Sequence, residues 1–135
     1  RYPTRMTPQK KDYTVAGKLE KVNEITETCQ YYAFFFDIAT PEEYPELWDI
    51  ITMQFGPGKK NENIYPADAF VGNYLRLDIL SRYGLKKQLI EESIGYFGYM
   101  ADRTGTLWEK ISDNASCNHG FASYVAYLIG NDLPQ

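Results

Sequence analysis

Three segments of this chain leave no face for water, and that constrains the fold more than any other feature. In Cys29–Ile38 nearly every residue is apolar; Ala67–Tyr83 carries Phe70, Val71, Tyr74, Leu75, Leu77, Ile79 and Leu80 with little polar surface, and Asn118–Ile129 is apolar and small-residued, with Phe121, Ala122, Val125, Ala126 and Leu128. A helix that is apolar all round belongs in an interior. Between these segments lie two of a different kind. From Thr40 to about Phe55, Tyr44, Leu47, Trp48, Ile51 and Phe55 recur at steps of three and four, with Glu42, Glu43, Glu46 and Asp49 on the other side. From about Lys86 to Ala101, Leu89, Ile90, Ile94, Phe97 and Met100 form the apolar stripe, opposite Lys86, Lys87, Glu91 and Glu92. Such one-sided helices lie outside with one face wet.

The ends of these segments carry their own signals. Thr26, Glu27 and Thr28 suit the first turn of the first helix, by capping and by complementing its dipole. Thr40, Pro41 and Glu43 read as N-cap, first helical residue and capping-box acid of the second. Gly84 is placed to stop the third. The stretch GPGKKNENIYP, after the second helix, is irregular by composition. Residues 1–24, broken by Pro3, Pro8 and Gly17, read as a polar lead-in with little regular structure and one turn near Lys18–Val22. Residues 25–135 then form one helical unit.

Interior and exterior helices alternate, and so do short and long connections, with each long one leading from an exterior helix into an interior one. That is the order of an α/α barrel, in which one end carries the long functional loops. The expected fold is therefore all-α, a partial (α/α)6 barrel of about five helices. The absence of an initiator methionine before Arg1 reads as a piece of a longer chain.

Charge and composition exclude several function classes. A net charge of -4 and a pI near 5.0 argue against nucleic acid or an anionic membrane surface as partner, since both require clustered cations. No apolar run approaches the roughly 20 residues that span a bilayer. One histidine and two distant cysteines, Cys29 and Cys117, make neither a zinc set nor a disulfide framework, and buried thiols are expected. No metal and no cofactor is expected. Aromatic residues make up 16% of the chain, and rings suit both core packing and the C–H faces of sugars.

Chemistry concentrates in the connection from Asp102 to His119, DRTGTLWEKISDNASCNH, which holds Trp108, Glu109 and the single histidine of the chain. On the residues alone, Glu109 reads either as a catalytic carboxylate or as a solvated loop acid. Trp108 reads as core or as a binding wall, and His119 as a capped helix-start histidine or a ligand contact.

The segment TGTLWE at 104–109, followed by ASCNHGF at 115–121, resembles the last part of the catalytic domain of bacterial α-L-rhamnosidases. TETCQYYAFF at 26–35 and FVGNYLRLDILSRYG at 70–84 are similar to the preceding inner helices of that glycoside hydrolase family, so the resemblance covers about residues 24–130. It implies an (α/α)6 barrel and inverting hydrolysis of terminal α-L-rhamnosides. It also implies roles: Glu109 as the general base that activates water, His119 as a contact to sugar hydroxyls, and Trp108 as part of the sugar-pocket wall. An inverting pair is set about 6.5–9.5 Å apart so that water fits between sugar and base. The family's general acid lies in an upstream acidic segment with no counterpart here. Asp102, Asp113, Glu27, Glu62 and Asp68 are the local acids near the long connections, and as loop acids they read first as caps or solvated groups. The 135-residue chain by itself is accordingly expected to be inactive.

The partners implied are a rhamnose-containing glycoside or oligosaccharide and the remainder of the catalytic domain, with self-association where inner-helix flanks stand open. A periplasmic or extracellular setting would fit the family, while the residues themselves carry no address. The alternative readings are a non-catalytic carbohydrate-binding module and a helical interaction module.

Overall fold

The computed structural model describes residues 5–8, 19–22, 25–112 and 114–132, the first two stretches and the last two residues as backbone only. The described chain is mostly helical, in agreement with the all-α expectation. Helix α1 is Glu27–Phe35, α2 Pro45–Gln54, α3 Phe70–Arg82 and α4 Lys86–Ser93. A π-helical turn, Ile94–Gly98, joins α4 to α5, Tyr99–Thr104, and a 3-10 turn, Gly120–Ser123, leads into α6, Tyr124–Asp132.

Local chemistry explains most of these limits. Thr26 caps α1 as expected, its hydroxyl accepting the Cys29 N–H at 3.3 Å. One limb of the expected Thr40–Glu43 box forms, the Glu43 N–H on Thr40 Oγ1 at 3.3 Å, with the Thr40 hydroxyl in turn on the Glu43 carboxylate at 3.4 Å, but it closes only a turn. Pro45 disfavours the helical region for the residue before it, so Tyr44 sits at φ -132 and α2 begins at Pro45. Helix α3 starts later than its apolar run because residues just before it are extended: β4, Ile64–Tyr65, pairs in parallel with β3, Ile25–Thr26, and Ala69 forms an antiparallel bridge with Lys110. Gly105, at φ 71, ends α5 in the left-handed conformation that glycine adopts without steric cost.

The lead-in is the first correction. Arg5–Pro8 and Leu19–Val22, labelled β1 and β2, pair antiparallel from Arg5 with Val22 to Pro8 with Leu19, so Leu19–Val22 is a strand where a turn near Lys18–Val22 was expected, and Lys18 lies outside the described residues. Four-residue strands are too short to reveal a period of two, and backbone pairing rather than side-chain pattern defines them.

Packing divides into two clusters that share α3. Leu75 and Ile79 of α3 join Tyr31 and Phe34 of α1 and Ile51 and Phe55 from the α2 side. Leu77 and Leu80 join Leu89, Phe97, Met100, Trp108, Val125 and Leu128. A helix that serves two cores needs apolar residues on opposite faces, which is why α3 leaves only the strip from Val71 through Tyr74 and Asp78 to Arg82 partly open.

The other two interior expectations hold only in part. The first apolar run leaves its helix at Phe35, and with Asp37 at φ 55 turning the chain, Phe36 and Ile38 are 61% and 62% exposed. Helix α6 buries Val125 and Leu128 but presents Tyr127 at 71% exposure, so it is one-sided rather than enclosed. On the fourth segment Ile94 is 65% exposed, because the buried stripe there runs through Leu89, Ser93, Phe97 and Met100.

Candidate functional site

The segments leading into α1, α3 and α6 meet at one end of the molecule. The parallel pairing of β3 with β4 brings together the chain just before α1 and the chain approaching α3. The Phe70 N–H donates to the Glu109 carbonyl at 2.8 Å, and the Ile111 N–H to the Asp68 carbonyl at 3.2 Å, tying the start of α3 to the connection before α6. That connection is folded on itself as a tongue. The Glu109 N–H reaches the Ser116 carbonyl at 2.9 Å and the His119 N–H reaches the Leu107 carbonyl at 2.8 Å.

Glu109 and His119 thus stand on facing limbs of one small structure. Glu109 is half-buried, and one carboxylate oxygen accepts the Ser116 N–H at 3.4 Å. A carboxylate held through one oxygen keeps the other to take a proton. His119 occupies the position before the 3-10 turn, and its ring stacks on Phe70 with centroids 4.3 Å apart and planes at 28°. Its Nδ1 is buried and has no hydrogen-bond partner among the described residues. Phe121 packs on the same Phe70 ring at 5.1 Å and reaches Tyr74 at 5.9 Å, so the histidine sits at the edge of an aromatic cluster.

Trp108 departs from the role of a sugar-pocket wall. It is 1% exposed and belongs to the core with Met100 and Leu128. Its indole N–H donates to Thr104 Oγ1 at 2.7 Å, and the ring meets Tyr99 edge-on at 5.6 Å. Nothing of the ring is left for a ligand to cover. Its neighbour Glu109 is half-buried and lies at a bend of the backbone. Threonines complete the root of the tongue: Thr104 and Thr106 hydroxyls are 2.7 Å apart, and Thr106 donates to the Cys117 carbonyl.

Among the local acids, Asp102 and Glu62 are exposed and Asp113 lies outside the described residues. Glu27 is the surprise. It is 3% exposed, and its carboxylate gathers the Tyr31 hydroxyl at 3.0 Å, the Ala67 N–H at 3.1 Å and the Gly56 N–H at 3.4 Å. Burial raises its pKa, and those three hydrogen bonds oppose the shift. Beyond Tyr31 the network continues to Arg76, which is 2% exposed, donates to the Ile51 carbonyl at 2.8 Å and forks onto Glu92 at 2.5 and 2.7 Å. Burial works against the Arg76 charge, but Glu92 and Tyr31 together outweigh it and raise the guanidinium pKa.

Sequence reasoning gave Glu27 a capping role and did not single out Arg76 at all. One signal was available: an arginine in the middle of an otherwise apolar interior segment needs a buried partner.

Among the described residues no group of His, Cys, Asp and Glu is arranged to hold a metal ion, and no helix is long and apolar enough to cross a membrane. Comparison with protein-family models, with curated proteins and with solved structures gave no match.

Proposed function

We propose that this chain is the later part of an inverting glycoside hydrolase acting on terminal α-L-rhamnosides, with Glu109 as its general base. The observation that carries this reading is the tongue that sets Glu109 and His119 together at the end where α1, α3 and α6 begin. The resemblance of TGTLWE and ASCNHGF to bacterial α-L-rhamnosidases names the same two residues.

Packing is compatible with a partial (α/α)6 barrel. Helices α1 and α6 each pack on α3, α4 packs on both α3 and α6, and α2 packs on α1; in this reading α1, α3 and α6 are the inner row. In this reading Glu109 draws a proton from water on the face of the sugar opposite the leaving group, and His119 contacts sugar hydroxyls. A carboxylate at the mouth of a helical bundle, partly shielded from bulk water, is suited to such proton transfer. The general acid is supplied from outside this chain, by the rest of the catalytic domain, and the 135-residue chain alone is inactive.

The test is hydrolysis of an aryl α-L-rhamnoside by a polypeptide that contains this chain together with the rest of the domain, with the first anomer released followed by NMR. Turnover with inversion, reduced about 10²–10⁴-fold in Glu109→Gln with the fold intact, supports the assignment. An active wild type matched by an equally active Glu109→Gln overturns it.

A second reading, a helical interaction module, is favoured by one observation. Tyr32, Phe36, Phe121 and Tyr127 are 38%, 61%, 52% and 71% exposed, all from the inner row and its flanks. Exposed apolar groups of this size mark contact surfaces. The occupant in the isolated chain is a second copy, and sedimentation at tens of micromolar distinguishes a dimer from a monomer.

A further inference from the structure

The loop after α2 begins with a tight turn at Gly56, closed by the Lys59 N–H on the Gly56 carbonyl at 3.1 Å. The turn lies directly on the buried Arg76 guanidinium. A Cβ at Gly56 would stand 2.6 Å from Arg76 Nε, so a residue without a side chain is what lets the backbone come this close. Glu27 holds the same turn from another side by accepting the Gly56 N–H at 3.4 Å. Lys59 is thereby fixed next to a second cation.

Both cations use one neutral acceptor. The Thr52 carbonyl receives the Lys59 ammonium at 3.3 Å, the Arg76 guanidinium at 3.5 Å and the Gln88 side-chain amide at 2.7 Å. Arg76 also has a carboxylate of its own in the Glu92 fork. Lys59 forms no ion pair among the described residues. Of two crowded cations the guanidinium holds its proton far more strongly, so the ammonium is the one that yields. Partial burial first, and the Arg76 charge second, lower the Lys59 pKa, with Glu92 and Glu27 opposing. A desolvated lysine beside another cation is a recurring form of amine nucleophile. As a neutral amine it can still donate one N–H to Thr52 while its lone pair is free to react.

A reagent can reach this amine from two sides. Lys59 lines a cleft of about 550 Å³ together with Met53 and Leu85, and another of about 440 Å³ together with Pro57 and Ile111. The other charges on the first are Lys86, Lys87, Glu91 and Glu92, of which Lys87 and Glu91 pair at 3.8 Å. On the second they are Glu27, Lys60 and Asp68. Apolar neighbours on both sides admit a small uncharged molecule most easily. An amine with no general base hydrogen-bonded to it suits an electrophile that needs little activation, and an aldehyde is of that kind. We propose that Lys59 is a covalent capture site for small aldehydes, which it binds as an imine. Nζ adds to the carbonyl carbon, one amine proton passes to the carbonyl oxygen, and the second leaves with that oxygen as water when the C=N bond forms. Glu109 lines neither cleft, so the capture site does not depend on its role.

The test is competitive labelling of the full chain with limiting propanal and cyanoborohydride, which reduces the imine to a stable secondary amine. Tandem mass spectrometry of peptides reads the label lysine by lysine. Lys60, the exposed neighbour, is the internal standard. At about pH 7 Lys59 is expected to label at least about threefold faster than Lys60, and the excess should vanish toward about pH 10, where ordinary lysines also lose their protons. In concentrated guanidinium chloride the two should label alike, because the excess belongs to the fold. Arg76→Met combined with Glu92→Leu, which removes the neighbouring cation together with its partner, should shrink the excess. The proposal is overturned if Lys59 labels no faster than Lys60 at about pH 7, or if the excess is undiminished at about pH 10. An excess that survives in the denatured chain, or in full in the folded double variant, overturns it as well. Wild type alone decides the first three outcomes, so they hold even where the double variant does not fold.

Discussion

The carboxylate of Glu27 accepts the backbone N–H of Ala67, 40 residues further along the chain, at 3.1 Å. Together with the Gly56 N–H and the Tyr31 hydroxyl, this bond makes one buried acid the anchor of two loops. Glu27→Ala leaves buried donors without an acceptor, at about 1–3 kcal/mol for each such group that water cannot reach, so a loss of about 3 kcal/mol is expected in urea unfolding.

The same residue sets a pH dependence. Burial places the folded pKa of Glu27 above its ordinary 4.5, so the folded chain holds this proton more tightly than the unfolded one. The resulting stabilisation is complete below the unfolded value and is lost as pH rises through the folded value. Wild type compared with Glu27→Gln, which does not titrate, should therefore gain relative stability as pH falls from neutrality toward 4.5. A difference that stays flat over that window would refute the assignment.

Arg76 and Glu92 form a second test of buried polarity. Arg76 is 2% exposed and Glu92 11%, with the fork closing at 2.5 Å. Arg76→Met leaves Glu92 facing an apolar side chain, and a loss of about 3–5 kcal/mol is expected by chemical denaturation. Adding Glu92→Leu to it should recover part of that loss, because the uncompensated charge is then gone. Lysine does not replace arginine here, since an ammonium cannot make the paired contact.

Two glycines should respond in opposite directions to alanine. At Gly72 a Cβ would lie 2.6 Å from Ala67 Cβ and 2.8 Å from Thr28 Oγ1, at the close approach of α3 to the start of α1. Gly72→Ala should destabilise by about 1–3 kcal/mol through overpacking. Gly95→Ala meets nothing within 4 Å, and a gain of about 0.5–1 kcal/mol is expected from reduced freedom of the unfolded chain. Thermal melts of the pair measure both.

Trp108 gives a prediction about core rather than catalysis. Trp108→Phe removes the N–H that Thr104 accepts at 2.7 Å and leaves a void in a site 1% exposed. A loss of about 2 kcal/mol is expected, against about 1 kcal/mol for Thr104→Val, which keeps the ring in place and removes the hydroxyl with its contacts to Trp108, Thr106 and the Met100 carbonyl. Near-UV circular dichroism at the tryptophan band checks that the loss is local.

Much of the fold was legible because it rests on local rules. The apolar runs, the caps at Thr26 and Thr40 and the stop at Gly84 were readable from residue type and spacing, and each stands where helices begin or end or where a turn forms. Less legible was the difference between an enclosed helix and a one-sided one. Composition alone could not show that Tyr127 of α6 would be 71% exposed, because exposure depends on which neighbours pack against a face. The candidate site divides in the same way. Sequence placed Glu109, Trp108 and His119 in one connection, but pairing of the Leu107 and Glu109 backbone with His119 and Ser116 is what sets Glu109 and His119 on facing limbs.

By itself the sequence determined an all-α chain, its helical segments and the connection that concentrates its polar chemistry, since periodicity and capping act between residues a few positions apart. Tertiary structure alone decided that Trp108 is core and that Glu27 and Arg76 are partners in one buried network, joined through Tyr31. Glu27 and Arg76 are far apart in the chain, and only folding removes the water that would otherwise solvate each of them separately.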